Sequence, residues 1–275
     1  MSNNPYPVLA VAGSGAIATG LAALASATSE QVWLLARSDA SAERAATAIE
    51  KACSRIDGAD SARVRATTEQ TDLAPASMIV EAIVEDHSAK AELLAGLAAV
   101  APGADLSTTT SSLSVTELGL ACGHPERLIG LHVFNPVPVM DLVEVCLPAA
   151  VDPGVGERVA RWCEAAGKTA VPVPDTPGFV VNRLLFPYLF DAVRFQETSG
   201  MPAKNVDTCM TLGVAHPMGP LALLDLIGLD VAVAIGGALH SESGNDQHLA
   251  PETVLSKVEA GHLGRKAGRG FYDYG

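Results

Sequence analysis

Four polar residues in largely apolar segments have side chains that together could carry out a redox reaction at an alcohol carbon. His132 and Glu144 lie in GLHVFNPVPVMDLVE, Ser111 in STTTSS and Asn182 in PGFVVNR. Hydride loss from an alcohol needs a base for the hydroxyl proton, and histidine, with an ordinary pKa of about 6.5, suits that role. A carboxylate such as Glu144 can orient the imidazole, while Ser111 and Asn182 can hydrogen-bond substrate oxygens.

Each of these residues, taken singly, also has a structural interpretation. A histidine near a strand end is commonly structural, and Glu144 is compatible with an ordinary strand carboxylate. Ser111 could cap the helix expected to open near Ser114, and Asn182 could satisfy the backbone of a helix. Residue type alone therefore leaves the catalytic and the structural interpretations open.

A glycine-rich turn near the amino terminus predicts a binding site for a dinucleotide. Residues 8–20 are VLAVAGSGAIATG, with Gly13, Gly15 and Ala18 in the Gly-x-Gly-x-x-Ala pattern. The first glycine permits the tight turn, the second lets the backbone approach a pyrophosphate, and the small third residue keeps helix and strand close. The motif follows an apolar strand-like run and precedes a helical one, which is the context that it requires.

The end of the second predicted strand bears on which dinucleotide binds. An acidic residue for the ribose hydroxyls of NAD is expected there, but the chain has Ala36, Arg37 and Ser38. A guanidinium and a hydroxyl can hold a 2′-phosphate that a carboxylate would repel. The sequence therefore favours NADP over NAD, with Arg37 as a solvated loop residue in a weakly NAD-binding protein as the alternative.

Apolar runs alternate with helical patterns over the first 175 residues, and helical patterns alone follow. This order predicts an α/β fold: a Rossmann-type doubly wound parallel sheet in a domain of residues 1–175, followed by an all-helical C-terminal domain of residues 176–275. A single helix is expected over residues 221–239.

Charge and cysteine usage narrow the classes of partner. The 275 residues carry a formal net charge of −13, which argues against nucleic acid and anionic membranes as partners. The uncharged stretch of residues 8–29 is interrupted by glycine, serine and threonine, and residues 1–7 contain no lysine or arginine, so no membrane span or signal peptide is expected. Five dispersed cysteines indicate a reduced, cytoplasmic protein without a metal site.

Six long segments combine apolar runs with polar residues in a specific order. They are VEAIVED (80–86), TSSLSVTEL (110–118), GLHVFNPVPVMDLVEV (130–145), DTPGFVVNRLLFPYL (175–189), HPMGPLALLDLIGLD (216–230) and GRKAGRGFYDY (264–274). Together these segments resemble the 3-hydroxyacyl-CoA dehydrogenase family, which includes the 3-hydroxybutyryl-CoA dehydrogenases. They occur in family order, and the match extends over almost the whole chain.

The resemblance implies interconversion of 3-hydroxyacyl and 3-oxoacyl thioesters, with a role for each of the four residues above. His132 would be the catalytic acid/base, Glu144 its partner, and Ser111 and Asn182 contacts of the substrate's 3-oxygen and thioester region. The non-catalytic alternative, a protein that only binds a dinucleotide, is disfavoured because this set is intact. A β-hydroxyacid dehydrogenase would use a catalytic lysine instead.

Further implied contacts involve the cofactor, the pocket and a second copy of the chain. Glu85 and Lys90 would lie near the nicotinamide ribose, Asn135 would line the pocket between the domains, and the helical domain would form a homodimer.

The chain also departs from the family at positions that affect its substrate. Ala36 replaces the usual strand-end aspartate, and Thr108-Thr109 replaces a common Ser-Asn pair. The segment between the second strand and VEAIVED is too short for the helical hairpin that clasps the CoA nucleotide in many members. The substrate is therefore either an acyl-CoA or, in the alternative, an acyl-carrier-protein thioester of a biosynthetic pathway such as polyketide extender-unit formation.

Overall fold

The computed structural model describes residues 4–275 as two compact units that divide between Thr176 and Pro177. The first unit contains an eight-stranded sheet in the order β3-β2-β1-β4-β5-β6-β7-β8. The strands are β1 (Val8–Ala12), β2 (Gln31–Leu35), β3 (Val64–Thr67), β4 (Met78–Glu81), β5 (Asp105–Thr108), β6 (Leu128–Val133), β7 (Leu142–Cys146) and β8 (Thr169–Val173).

Five helices connect these strands. They are α1 (Ala16–Ser26), α2 (Asp39–Cys53), α3 (His87–Val100), α4 (Val115–Cys122) and α5 (Pro153–Ala165). The strand order 3-2-1-4-5-6 is that of the Rossmann fold, so the predicted fold class is confirmed. Strands β1, β4 and β6 are buried and mainly apolar, as expected for strands that are covered on both faces, whereas β5 is buried but carries Asp105, Ser107 and Thr108.

The last part of the sheet departs from the predicted all-parallel arrangement. β7 pairs antiparallel with β6, while β8 returns parallel to β7. The physical reason is the short connection of residues 134–141, because a parallel crossover needs about a dozen residues or more. Pro172, which lacks an amide donor, lies in the edge strand β8, where such a residue is tolerated.

The segment between α2 and β4 is short. Residues 54–77 contain the strand β3 and two 3₁₀ turns, Ser61–Arg63 and Gln70–Leu73. The sequence patterns did not predict β3, because its four residues, VRAT, have no buried member and show little apolar character.

The second unit is entirely helical and has its own apolar core. Its helices are α6 (Val181–Ser199), α7 (Ala203–Gly213), α8 (Pro220–Ile227), α9 (Leu229–Ser243) and α10 (Glu252–Glu259). The expectation of one helix over residues 221–239 was wrong, because the chain bends by 96° between α8 and α9. Gly228 permits the bend with a φ of +105°, a conformation that side chains with a Cβ rarely adopt.

Two buried carboxylates hold the second unit together. Asp225 on α8 accepts backbone N–H bonds from Phe271 and Tyr272, both at 2.9 Å. Asp207 on α7 accepts the hydroxyl of Tyr272 at 2.6 Å. The carboxyl-terminal segment is thereby anchored to two helices by charge-assisted hydrogen bonds.

No single helix of residues 4–275 is both long and apolar enough to cross a membrane. Helices α8 and α9 have the required length and composition only as a pair, with the 96° bend between them.

Candidate functional site

The glycine-rich turn between β1 and α1 forms a backbone cradle. Gly13 has a φ of +139°, and a Cβ there would collide with the carbonyl oxygen of Ala82 on the neighbouring connection. Gly15 is the N-cap of α1, and a Cβ there would have no neighbour within 4 Å. Ala18 is completely buried in the first turns of α1. The turn is thus closed towards the sheet by Gly13 and open on its other side at Gly15.

A cleft of about 770 Å³, here called the first cleft, extends from this turn. It reaches the end of β2, where Ala36 is buried and Arg37 is exposed. Arg44 on α2 also lines it, which the sequence interpretation missed. Among the described lining residues, Glu85 is the only carboxylate.

Ser38, which the sequence predicts to contact the cofactor, is the N-cap of α2. Its hydroxyl caps α2 by accepting the Ser41 backbone N–H at 3.4 Å, and the Ser41 hydroxyl accepts the Ser38 N–H at 3.1 Å. Such a reciprocal pair satisfies amide groups that the first helical turn leaves without intrahelical partners. Ser38 is exposed next to Arg37, so its predicted contact with the cofactor stays a prediction, while the neighbouring Ser41 lines the first cleft.

Glu85 holds the loop that follows β5. One of its carboxylate oxygens accepts the Thr110 hydroxyl at 2.7 Å, the Ser111 N–H at 2.8 Å and the Ser112 N–H at 2.9 Å. Burial alone would raise the pKa of Glu85, but these hydrogen bonds and the charge of Lys90 hold it below its usual value. Ser111 is therefore positioned by Glu85, as part of the serine-threonine loop of residues 110–112.

Lys90 lies behind Glu85 and is completely buried on α3. Its Nζ is 2.7 Å from an oxygen of Glu81 and 3.5 Å from the other oxygen of Glu85. The predicted pair Glu85 and Lys90 is thus brought together at the carboxyl end of β4. Glu81 was not among the predicted site residues, although its position in VEAIVED, inside a buried strand, is a signal that could have pointed to it.

His132 and Glu144 form a second buried polar pair, on the neighbouring strands β6 and β7. They are directly opposite in the antiparallel register of β6 and β7, and Nδ1 of His132 is 2.6 Å from Oε2 of Glu144. Both side chains are almost completely buried, and the rings of His132 and Phe134 pack in a T-shaped arrangement with 4.7 Å between their centroids. The carboxylate orients the imidazole and favours the tautomer that carries its proton on Nδ1.

A second cleft, of about 440 Å³, adjoins the same turn and shares Ser14, Gly15 and Arg44 with the first cleft. Asn135 lines it from the loop after β6. Three basic residues of α2 and the short segment after it, Arg44, Lys51 and Arg55, line it as well. They concentrate positive charge in a chain whose net charge is −13, and sequence inspection missed them because α2 has charges of both signs.

Asn182 belongs to the second unit. It lies in the first turn of α6 and is 9% exposed. In the described part of the chain, no group of three or more histidine, cysteine, aspartate or glutamate side chains could hold a metal ion.

The chain matches two family models that together cover both units. Residues 8–176 match the 3-hydroxyacyl-CoA dehydrogenase NAD binding domain, and residues 178–274 match the 3-hydroxyacyl-CoA dehydrogenase C-terminal domain. A 3-hydroxybutyryl-CoA dehydrogenase of Mycobacterium tuberculosis is 36% identical over 277 aligned residues, which cover 96% of this chain and 97% of that protein.

Two solved structures are similar to this chain over almost its whole length. The crystal structure of FadB2 from M. tuberculosis has a TM-score of 0.92 at 36% identity and covers 97% of this chain and 98% of that one. The (S)-3-hydroxybutyryl-CoA dehydrogenase PaaH1 of Ralstonia eutropha has a TM-score of 0.91 at 31% identity, with 98% and 99% covered. The chain therefore belongs to the 3-hydroxyacyl-CoA dehydrogenase family.

Proposed function

We propose that this protein is a dinucleotide-dependent oxidoreductase that interconverts 3-hydroxyacyl and 3-oxoacyl thioesters, with His132 as the acid/base. The observation that carries the proposal is the buried His132–Glu144 pair, 2.6 Å apart. A carboxylate bound to Nδ1 leaves Nε2 as the basic nitrogen and stabilises the imidazolium once it forms. That is the arrangement needed to take a proton from, or return it to, a hydroxyl group.

The first cleft fits a dinucleotide. The turn at Gly13 admits no side chain, and Gly15 leaves the start of α1 open, with no acidic residue in its first turn. The amino end of a helix attracts phosphate through its unpaired N–H groups and its dipole. A bound dinucleotide would supply an oxidised nicotinamide as the acceptor of the hydride from C3 of the substrate.

The protein's own residues would handle the proton and the carbonyl group. In the oxidative direction, the C3–H bond breaks with its electron pair, the C3 oxygen becomes a carbonyl, and its proton passes to Nε2 of His132. Glu144 stabilises the resulting positive charge. Ser111 would hold the 3-oxygen from the loop that Glu85 anchors, and Asn182 would contact the thioester region.

The cofactor preference that we propose is NADP over NAD. Two guanidinium groups, those of Arg37 and Arg44, line the end of the first cleft where Ala36 provides no carboxylate. The exposed hydroxyl residue Ser38 directly follows Arg37 and would add a hydrogen bond to a phosphate bound there. Guanidinium groups bind phosphate through charge-assisted, often bidentate hydrogen bonds, which supports a site for a 2′-phosphate.

This preference is tested by Arg37→Ala and Arg44→Ala. Each is expected to raise the KM for NADPH by about tenfold or more, because one charge-assisted hydrogen bond contributes about 1.5–3 kcal/mol. The KM for NADH should change less than about twofold. Arg161→Ala, which changes an exposed arginine of α5 outside both clefts, is the matched control. Equal effects on both cofactors would contradict the phosphate site.

We propose that the second cleft binds the phosphate-containing group, CoA or phosphopantetheine, to which the acyl thioester is attached. Arg44, Lys51 and Arg55 there could hold phosphate, which CoA and the phosphopantetheine arm of a carrier protein both contain. The relatives named above are dehydrogenases of a CoA thioester, which favours CoA. The short segment of residues 54–77, without an α-helix, keeps a carrier-protein thioester as the second candidate.

The experiment that tests the function is an initial-rate matrix. NADH and NADPH are each combined with acetoacetyl-CoA and with acetoacetyl carrier protein. We expect turnover of acetoacetyl-CoA that is faster with NADPH. Turnover of the carrier-protein thioester alone would establish the second candidate, and no turnover in any combination would contradict the dehydrogenase proposal and favour a protein that only binds a dinucleotide.

A homodimer through the second unit stays a prediction. That unit presents a groove of about 640 Å³, lined by apolar residues such as Leu185, Met218 and Leu223. Leu184 at the groove is 69% exposed, and large exposed apolar surfaces mark interaction sites. Sedimentation velocity of Leu184→Glu is expected to show a shift from dimer to monomer.

A further inference from the structure

A fully buried carboxylate, Glu81, lies at the carboxyl end of β4 in the middle of the sheet. One oxygen accepts bonds from Lys90 Nζ and from the Ile83 N–H, both at 2.7 Å. The other accepts the hydroxyl of Thr108 at 2.6 Å. Burying a carboxylate costs free energy unless the group is paired and hydrogen-bonded, and these contacts offset that cost for Glu81.

Glu81 provides the nearest negative charge to Lys90. The buried ammonium lies between two carboxylates, at 2.7 Å from Glu81 and 3.5 Å from Glu85. Without the charge of Glu81, Lys90 would have Glu85 as the remaining partner among these acids, and a buried charge attracts its counter-charge strongly. Glu85 would then be drawn towards Lys90 and away from the amide groups of Ser111 and Ser112.

A second connection runs from Glu81 to the same loop. The hydroxyl of Thr108, the last residue of β5, donates to Glu81 and accepts the N–H of Thr110 at 3.2 Å. The backbone carbonyl of Glu81 also accepts the Thr109 N–H at 2.9 Å. The loop of residues 110–112 is therefore tied to Glu81 through Thr108 as well as through Lys90 and Glu85.

We propose that Glu81 is a positioning residue that holds the loop of residues 110–112, and with it Ser111, in the geometry required for turnover. The inference rests on the proposed function for the part that concerns turnover. Glu81 acts through Lys90, Glu85 and Thr108, and its carboxylate itself is buried beneath the loop.

The test is Glu81→Gln, which preserves the shape and removes the charge. We expect kcat with acetoacetyl-CoA to fall by about tenfold to a hundredfold, because small displacements of catalytic groups have effects of that size. Hydrogen exchange of the Ser111 and Ser112 amides should be faster by on the order of tenfold, since their acceptor is displaced. The matched control is Asp105→Asn, which neutralises a buried, ion-paired carboxylate at the opposite end of β5.

A milder pair of variants keeps the proposal testable if Glu81→Gln does not fold. Thr108→Val removes the hydroxyl that links Glu81 to the loop, and Ser107→Ala removes the neighbouring buried hydroxyl, which donates to the backbone of β4. We expect faster exchange at Thr110 and a lower kcat for Thr108→Val, and no change in either for Ser107→Ala.

The exchange readout separates this inference from the proposed function. If the wild-type protein turns over none of the thioesters, the proposed function is contradicted, and exchange at Ser111 and Ser112 still decides whether Glu81 holds the loop. Wild-type exchange in a folded Glu81→Gln variant overturns the inference. So does exchange that accelerates equally in Asp105→Asn, because the effect would then reflect general destabilisation. If Glu81→Gln does not fold, unchanged exchange in Thr108→Val overturns it.

Discussion

The two ends of β5 carry polar clusters of the same composition in different surroundings. At the amino end, Asp105 binds Arg158 through two hydrogen bonds of 2.7 Å and accepts the hydroxyl of Tyr6 at 2.6 Å. At the carboxyl end, Glu81 binds Lys90 at 2.7 Å and accepts the hydroxyl of Thr108 at 2.6 Å. Each cluster has one buried carboxylate, one cation and one hydroxyl.

What differs is the structure to which each cluster is connected. The amino-end cluster joins the amino-terminal segment, β5 and α5, all of which belong to the packed body of the first unit. The carboxyl-end cluster continues through Glu85 into a loop of hydroxyl side chains beside the first cleft. In an α/β sheet, ligands bind outside the carboxyl ends of the strands. Similar buried ion pairs can therefore stabilise the fold at one end and organise a site at the other.

The largest effect is expected at the carboxyl end, for His132→Gln. Loss of the acid/base should lower kcat about a thousandfold while dinucleotide binding, measured by fluorescence titration, stays nearly unchanged. His248→Gln changes a buried histidine of the second unit and is the control for the substitution type. A His132→Gln variant with substantial kcat would refute the assigned role.

The next effect is expected at the amino end, for Asp105→Asn. Breaking a buried ion pair typically costs 3–5 kcal/mol, and because the Arg158 side chain is 38% exposed we expect a loss of about 2–3 kcal/mol in the free energy of unfolding. The kcat should stay within about twofold of wild type, since the change is remote from the proposed site.

Urea denaturation and initial rates measure the two quantities for Asp105→Asn. Asp57→Asn neutralises an exposed carboxylate and should change neither. A large fall in kcat of Asp105→Asn, measured where the protein is fully folded, would contradict the assignment of a purely stabilising role to the amino-end cluster.

A smaller effect is expected for Tyr6→Phe, about 1 kcal/mol at neutral pH for the lost hydrogen bond. Burial raises the pKa of Tyr6, and the hydrogen bond to Asp105 raises it further. A raised folded-state pKa gives stability that is complete below the unfolded value of about 10 and is lost as the pH rises above it. The alkaline fall in Tm should therefore be shallower in Tyr6→Phe than in wild type, and equal slopes would contradict this.

The smallest effect is expected at the carboxyl end, for Glu85→Gln, and concerns the fall of Tm at acid pH. The pKa of Glu85 is lowered in the folded protein, so its contribution to stability is present above the unfolded value of about 4.3 and is lost as the pH falls through the folded value. Glu85→Gln should flatten the dependence of Tm on pH below about 4.5 and leave the alkaline limb unchanged. Thermal scans across pH test this, and an unchanged acid limb would contradict it.

The elements around the site could largely be predicted from sequence. β1, the Gly13–Gly15 turn and α1 form a local pattern in which an apolar run, glycines and a helical period follow each other directly. The same holds for the strand that contains His132 and for the one that contains Glu144. The hydrophobic periodicity of a short segment indicates how one helix or strand is buried, so such elements can be predicted from the sequence.

How the elements pair with one another was harder to predict from the sequence. The antiparallel register that sets His132 opposite Glu144 follows from strand order in the sheet, although the short connection between β6 and β7 limits the choice. The bend at Gly228 was missed because α8 and α9 are both apolar and helical, and a single glycine is tolerated within a helical pattern.

By itself, the sequence determined the fold class, the dinucleotide turn and the family, since each depends on residues close together in the chain or on motifs in a fixed order. Only the tertiary structure decided that Arg44 lines the same cleft as Arg37, and that Glu81 is buried with both Lys90 and Thr108 as partners. The physical reason is that burial of a charge is stable only with a partner, and packing of distant segments chooses that partner.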